Sequence, residues 1–582
     1  MSAGALLPWG IGVFALGWAY PWARWLFPHD RIARLVLTPG LSAGGLAGVM
    51  LALAALGPDW VGFWPVTGLV GGLALAGGWM ARRAGARPSQ PDTASDADPG
   101  HPLTRTTALT VLVLVALVLF NAAYWPLGED DALSLYAPMA YRFATSGAFG
   151  GSGAYDAYPQ LGPLIMAYVQ LGNGAVHEYV WRFMLAVLAM VTVGAAYLLG
   201  RDMFSRRVGL AAAYLTAATP IALHWAAAAY TDLPAGGYYG LAVWAAWRLA
   251  RQPARRTALL AGLLAGCAAF TKNGALLLPP ALAGWVVYTW WAARQRTEPP
   301  VHAIGLRDGL LLAGGFLLLA GPWYGHTLHV QGVIVPPTGW IDQARHTLKV
   351  LVGPALVFHQ YMLTGALAVL GILWQAVRLW RARPGFDPRA ALLLGCSVPF
   401  WGVWWWLFSY DIRFLLMIWS LAAVMGADVL LALGDGVMRA VRLPRWVTRR
   451  ALPLVVVVLA LPAMRMGVDY KPALLRQPWM DDTARHVQQI GPRWLTVDWL
   501  KRHTPAGARV LVADTKLAFN VLAAGFEVTF SVLTEPALVH QYDYWIASPG
   551  QQPDWLADSG LEAVYAVDGY RVYALGEFAN RQ

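Results

Sequence analysis

Charge is what this 582-residue sequence has least of: 13% of its residues are Asp, Glu, Lys or Arg, against 58% hydrophobic ones and a mean hydropathy of +0.47. So few solvated groups cannot cover a water-soluble surface, which excludes the soluble classes and leaves a multi-span membrane protein. Cysteine is nearly missing as well. Cys267 and Cys396 both lie inside apolar runs, so neither a disulfide framework nor a thiolate metal set is available, and the redox compartment stays unread. No basic residue precedes the first apolar run, 6–27, and no small-residue cleavage site marks it, so it is expected to remain as a span. The glycines Gly147, Gly150, Gly151 and Gly153 follow no strand, which argues against a nucleotide cradle. The net charge of +11 has to be read by location in a membrane protein, and no nucleic-acid partner is expected.

What is there is a long series of apolar runs, near 5–23, 35–56, 61–80, 107–127, 179–200, 208–229, 232–249, 257–271, 274–293, 306–325, 362–380, 390–408, 414–434 and 451–467. They predict about 13 or 14 crossings. Basic clusters around Arg24, Arg31 and Arg34, Arg82, Arg83 and Arg87, Arg201, Arg206 and Arg207, and Arg248 to Arg256 fall on one side if each run crosses once. Arg294 and Arg296, Arg378 to Arg383 and Arg439 to Arg450 join them, and by the positive-inside rule that side is the cytoplasm. Thirty Trp and 23 Tyr suit the aromatic belts of many spans.

The domain reading is accessory spans over 1–83, a Pro/Ser/Asp/Ala-rich cytoplasmic linker over 84–106, a transmembrane catalytic domain over 107–469, and an outer domain over 470–582. In the last of these, β-rich runs at 509–513, 526–530, 543–547, 563–567 and 571–575, a helix near 496–503 and an Asp568-Gly569 hairpin signal predict a small α/β fold.

The stretch Gly128-Glu129-Asp130-Asp131-Ala132-Leu133-Ser134-Leu135-Tyr136 places three carboxylates at the outer end of a span. The apolar stripe over 132–144 predicts a helix along the membrane surface, interrupted at Pro138. Asp232 follows Tyr230-Thr231 where one span ends and the next begins, Lys272 interrupts an apolar hairpin, and Arg413 opens the penultimate span after Tyr410-Asp411. Each has a plainer explanation: a solvated loop, an N-cap for Asp232, a snorkelling lysine, and a local Asp411 to Arg413 pair that helix geometry disfavours. Taken together they put carboxylates and cations on one side at bilayer-surface depth, as transfer from an anionic lipid carrier requires. A departing phosphate needs cations rather than a proton, so one carboxylate suffices as general base for the acceptor.

These residues, with Tyr158-Pro159-Gln160-Leu161-Gly162, Pro322-Trp323-Tyr324 and Arg413-Phe414-Leu415-Leu416, resemble the GT-C membrane glycosyltransferases over roughly 107–434. The branch they resemble is bacterial family 39 and the lipid A aminoarabinose transferases. The resemblance implies an all-α polytopic membrane fold with a small C-terminal extracytoplasmic α/β domain, in the cytoplasmic (inner) membrane, with the active site outside. It implies a polyprenyl-phosphate sugar donor, an acceptor glycan, lipid or protein, and contact with membrane lipids. It places catalysis on Asp131, with Asp130 as its nearest rival, and on Asp232. Lys272 and Arg413 would bind donor phosphate, and Glu129, Tyr136, Tyr158, Tyr230 and Tyr410 would bind substrate. No cofactor is identified, and a divalent cation at the outer carboxylates stays open. Ala137 stands where many relatives place His after the first-motif Tyr, and Glu129-Asp130-Asp131 stands where several have an Asp-Glu pair. A polyprenyl-linked lipid transporter or flippase is the alternative. The geometric expectation is that Asp131, Asp232, Lys272 and Arg413 line one cavity open to outer water and to lipid.

Overall fold

The computed structural model describes residues 3–83, 102–149, 156–295, 301–335, 341–382, 387–440, 450–467, 479–531, 541–551, 555–558 and 560–575. Linker residues 84–101, the glycines Gly150, Gly151 and Gly153, and Arg87, Arg296, Arg383, Arg442, Arg445 and Arg449 of the basic clusters lie outside them. Each expected run falls on a helix or a helix pair. Eight helices among the described residues are long and apolar enough to cross a membrane, or nine if the bent pair Arg206–Ala217 and Pro220–Ala227 counts as one span. That pair breaks by 66°, at Thr219-Pro220, where proline starts a new helix and cannot continue the old one. Ala3–Gly17, Asp232–Arg251, Arg255–Thr271, Leu306–Gln331 and Leu452–Gly467 are shorter or less apolar, and complete the bundle.

Helix ends sort into two groups. At one end, Arg201 joins Asp30 and Asp202, both at 2.6 Å, while Arg378 bridges Asp428 at 2.7 Å and Asp387 at 2.8 Å. Asp428, which the sequence left without a role, also accepts from Trp374 and Gln375. These clusters tie neighbouring helices together where the arginines gather. The opposite end carries the acidic loop, the starts of Glu178–Met203 and Asp232–Arg251, and the C-terminal domain.

Close helix contact in such a bundle depends on small residues. Gly262 and Gly266 on Arg255–Thr271 face the backbone of Leu306–Gln331, and a Cβ at Gly262 would lie 2.0 Å from the Leu312 carbonyl oxygen. The same helix ends at Lys272, so its seating sets where that ammonium is delivered.

The acidic loop leads into a π-turn, Ala132–Tyr136, and then the helix Ala137–Ser146. Pro138 does not interrupt the segment as expected. It sits in the first turn of the second helix, where its missing N–H has no partner to lose. The C-terminal domain holds β1 (Arg509–Val512), β2 (Glu527–Phe530), β3 (Tyr544–Ala547), β4 (Ala563–Val567) and β5 (Tyr570–Ala574) in the order β2-β1-β3-β5-β4. The β2-β1-β3 pairs are parallel and the other two antiparallel. Asp568 and Gly569 both take positive φ, 49° and 80°, which makes the two-residue β4–β5 turn expected from that dipeptide.

Gly262→Ala should lower thermal stability in detergent by an amount corresponding to about 1–3 kcal/mol, the usual cost of overpacking a tight contact. Gly284→Ala, where a Cβ meets nothing within 4 Å, should be neutral or stabilising. Equal melting temperatures for the two variants would show that this helix pair is not held by close approach.

Candidate active site

Asp131 is the last residue before the π-turn, with helical φ/ψ, so its side chain projects from the start of that turn. Its backbone N–H donates to the Tyr230 hydroxyl at 3.0 Å, and its carboxylate accepts from Arg413 Nη2 at 3.0 Å. About a third of the side chain, 34%, remains exposed. The local pair that helix geometry disfavoured is in fact made. Asp411 lies outside the helix, in extended backbone as N-cap of the 3₁₀ turn Ile412–Ile418, so it accepts from the Arg413 N–H at 2.9 Å and sits 2.8 Å from Arg413 Nε. The guanidinium is thus flanked by two carboxylates, and the Tyr230 and Trp225 rings lie 4.8 and 4.9 Å from its carbon.

Asp232 opens its helix but does not cap it; Thr231 holds the N-cap position. The Asp232 carboxylate is wholly buried, and Lys272 Nζ donates to its Oδ1. Its Oδ2 has no hydrogen-bond partner among the described residues. Lys272 ends Arg255–Thr271 in extended backbone, which turns its side chain inward to Asp232 instead of out to the interface, with Nζ 4.8 Å from the Phe414 ring centre. Buried Tyr136 joins the Asp232 loop through a 2.8 Å bond between its hydroxyl and Thr231 Oγ1.

A cavity of about 850 Å³ opens over this cluster. Asp131 and Arg413 lie in its floor, Tyr158 and Tyr410 line it, and the C-terminal domain closes it above with Thr515, Phe519 and Phe530. Asp232 and Lys272 do not line it, contrary to expectation. The rings of Phe414 and Tyr230 stand beside the two cations, so the buried pair lies behind the exposed one.

The three carboxylates of the loop diverge. Glu129 faces His224 at 4.0 Å, Asp130 pairs with Lys516 of the C-terminal domain, and Asp131 alone of the three meets Arg413. Among the described residues no three His, Cys, Asp or Glu side chains gather to hold a metal ion, so the loop carboxylates do not fit one shared cation. Sequence reasoning passed over Ser134 and Gln343 in the cavity wall, Trp225 beside Arg413, and Lys516. It also passed over Arg182, although a charged residue four positions into an apolar run was a readable signal.

A family model described as dolichyl-phosphate-mannose-protein mannosyltransferase matches residues 159–312, a stretch that holds Asp232 and Lys272. The structure is similar to that of ArnT from Cupriavidus metallidurans bound to undecaprenyl phosphate, at 15% identity and a TM-score of 0.57, covering 81% of this chain and 98% of that one. This is the GT-C fold. The apo state of the same ArnT matches it over equal coverage and identity with a TM-score of 0.53. Among curated proteins no sequence matches significantly. The family-model match covers the buried Asp232–Lys272 pair, while the Asp131–Arg413 pair is brought beside it by tertiary contact.

Lys272→Met should destabilise the protein by about 3 kcal/mol, because it leaves the buried Asp232 charge uncompensated. The double variant Asp232→Asn/Lys272→Met should recover much of that loss. Thermal denaturation of the wild type, both single variants and the double variant checks this, and additive losses would mean that the two side chains are not coupled.

Proposed function

We propose that this protein is a membrane glycosyltransferase. It moves a sugar from a polyprenyl-phosphate carrier to an acceptor hydroxyl, on a glycan, lipid or protein, with inversion at the anomeric carbon. The observation that carries this reading is an exposed carboxylate, Asp131, held by Arg413 in the floor of a roofed cavity, with a second cation, Lys272, directly behind. The ligand named with ArnT, undecaprenyl phosphate, and the donor named in the family model are both polyprenyl phosphates. The gathering of arginines at the opposite end of the bundle supports an extracytoplasmic site in the inner membrane.

An arginine that holds a carboxylate occupies the oxygens that would take a proton. An arriving phosphate competes for the same guanidinium fork, and shifting Arg413 onto phosphate oxygens releases Asp131 to accept a proton. Asp131 then takes the acceptor hydroxyl proton while that oxygen bonds to the anomeric carbon. The bond from that carbon to phosphate breaks, and polyprenyl phosphate departs with both electrons. Lys272, oriented by Asp232, and Arg413 stabilise the charge that grows on the phosphate in a site shielded from water. Tyr158 and Tyr410 flank the space for the sugar. Asp130 turns to Lys516 instead of Arg413, which favours Asp131 over it as the base.

A flippase is the second reading, favoured by the broken span whose second half, Pro220–Ala227, carries Trp225 beside Arg413. Transporters place ionisable groups near the midplane, whereas here they stand at helix ends.

Purified protein offered a panel of undecaprenyl-phosphate-linked sugars should release the carrier from at least one. Asp131→Asn should reduce that rate by about 100- to 10,000-fold, the usual worth of a general base. Undiminished release would remove Asp131 from the mechanism, and no release from any donor by folded protein would favour the flippase.

A further inference from the structure

Two side chains one turn apart at the start of Glu178–Met203 hold the entrance of the acidic loop. Arg182 is 3% exposed, yet its guanidinium is fully engaged. Nη1 donates to the Pro126 carbonyl at 2.6 Å, Nη2 to Asn121 Oδ1 at 3.1 Å, and Nε to the Ala227 carbonyl. Pro126 lies just ahead of the acidic loop and Ala227 just ahead of Tyr230-Thr231-Asp232. One fork therefore sets both carboxylate-bearing segments against the same helix, a task suited to a planar donor array.

Glu178 completes the bracket. Its Oε2 accepts from the Leu127 N–H at 2.9 Å, and its Oε1 accepts from His486 Nε2 of the C-terminal domain at 2.7 Å. His486 is 2% exposed and stacks on Trp494 with ring centres 3.9 Å apart. Its Nδ1 lies 2.8 Å from the Asp482 carbonyl, so both ring nitrogens face oxygens that can only accept. Both bonds are made together when both nitrogens carry protons, as in the imidazolium form. The helix Asp482–Ile490 also presses on the loop itself: a Cβ at Gly128 would meet Gln489 Cγ at 2.3 Å, and Arg485 donates to the Tyr124 carbonyl at 3.2 Å.

We propose that Glu178 and Arg182 are positioning residues for the carboxylate loops, and that Glu178, through His486, makes the acidic loop's conformation depend on docking of the C-terminal domain. This rests on the reading of that loop as catalytic. The coupling is pH-dependent. Burial opposes the His486 charge, but the charge and hydrogen bond of Glu178, helped by Asp482, outweigh it and raise its pKa above the ordinary value. The other charged or titratable groups around it are Tyr179 and Arg485, with His177 near Glu178 and Asp482. A raised folded-state pKa means that the link is complete below the ordinary histidine value and is lost as pH rises through the raised one.

Hydrogen–deuterium exchange on the full chain in detergent tests this without any substrate. After correction for intrinsic exchange, peptides spanning 125–135 should exchange about tenfold faster above the His486 transition than below it, the loss expected for one charge-assisted bond. His486→Gln should exchange at the faster rate throughout and show no step, and Glu178→Ala should do the same. Arg182→Lys, whose donors all sit on one nitrogen and cannot span acceptors placed around a planar fork, should loosen 125–135 and 227–232 together. Protection across Arg509–Val512 reports whether the outer domain stays folded. A wild-type loop with no pH step, or His486→Gln within twofold of wild type at every pH, would overturn the proposal. A step in exchange without turnover of any undecaprenyl-phosphate sugar would instead refute the catalytic reading and leave the coupling standing.

Discussion

Arg413 lies between two carboxylates, Asp131 from the acidic loop and Asp411 from the start of its own helix, with aromatic rings over its face. A guanidinium at that depth is tolerable only because its charge is answered on both sides and its plane is covered. The pairing has wide structural consequences. It draws the segment after Pro102–Tyr124 onto the helix starting at Ile412, 282 residues away in sequence, and it keeps one carboxylate edge turned to the cavity. The Asp232–Lys272 pair repeats the arrangement a layer deeper, with less access to water and therefore stronger mutual dependence.

The C-terminal domain is part of this site. It supplies the cavity's upper wall, engages Asp130 through Lys516, and reaches Glu178 through His486. A floor made of helix ends and loops would be open to bulk water without that cover, and the electrostatic effect of its cations would be weaker. The roof is also the more apolar wall, with Phe519, Leu522, Val528 and Phe530 facing a charged floor. The two surfaces differ enough that any ligand between them meets distinct environments above and below.

Much of this was legible in the chain. Apolar runs located the helices, because a membrane span must satisfy its own backbone and can do so only over a long unbroken segment. Strand-length runs and the Asp568-Gly569 turn located the C-terminal sheet for a similarly local reason. Charged residues at run ends marked Asp131, Asp232, Lys272 and Arg413, since an ionised group near lipid is too costly to be incidental. The pairings were not legible. Helical spacing argued against Asp411 meeting Arg413, and the contact forms because Asp411 precedes the helix, a detail of backbone angle. Nothing in Glu129-Asp130-Asp131 says that three neighbouring carboxylates turn to three different partners.

Composition and periodicity thus determined by themselves that the chain is a helical membrane protein with a small α/β domain, and which residues are too polar for their surroundings. Both follow from local energetics, the cost of burying charge and unpaired backbone. Tertiary structure alone decided which carboxylate meets which cation, that one pair lies behind the other, and that the C-terminal domain roofs the cavity. Those outcomes depend on how helices with close glycine contacts seat against one another, and seating is a property of packed surfaces rather than of any one segment.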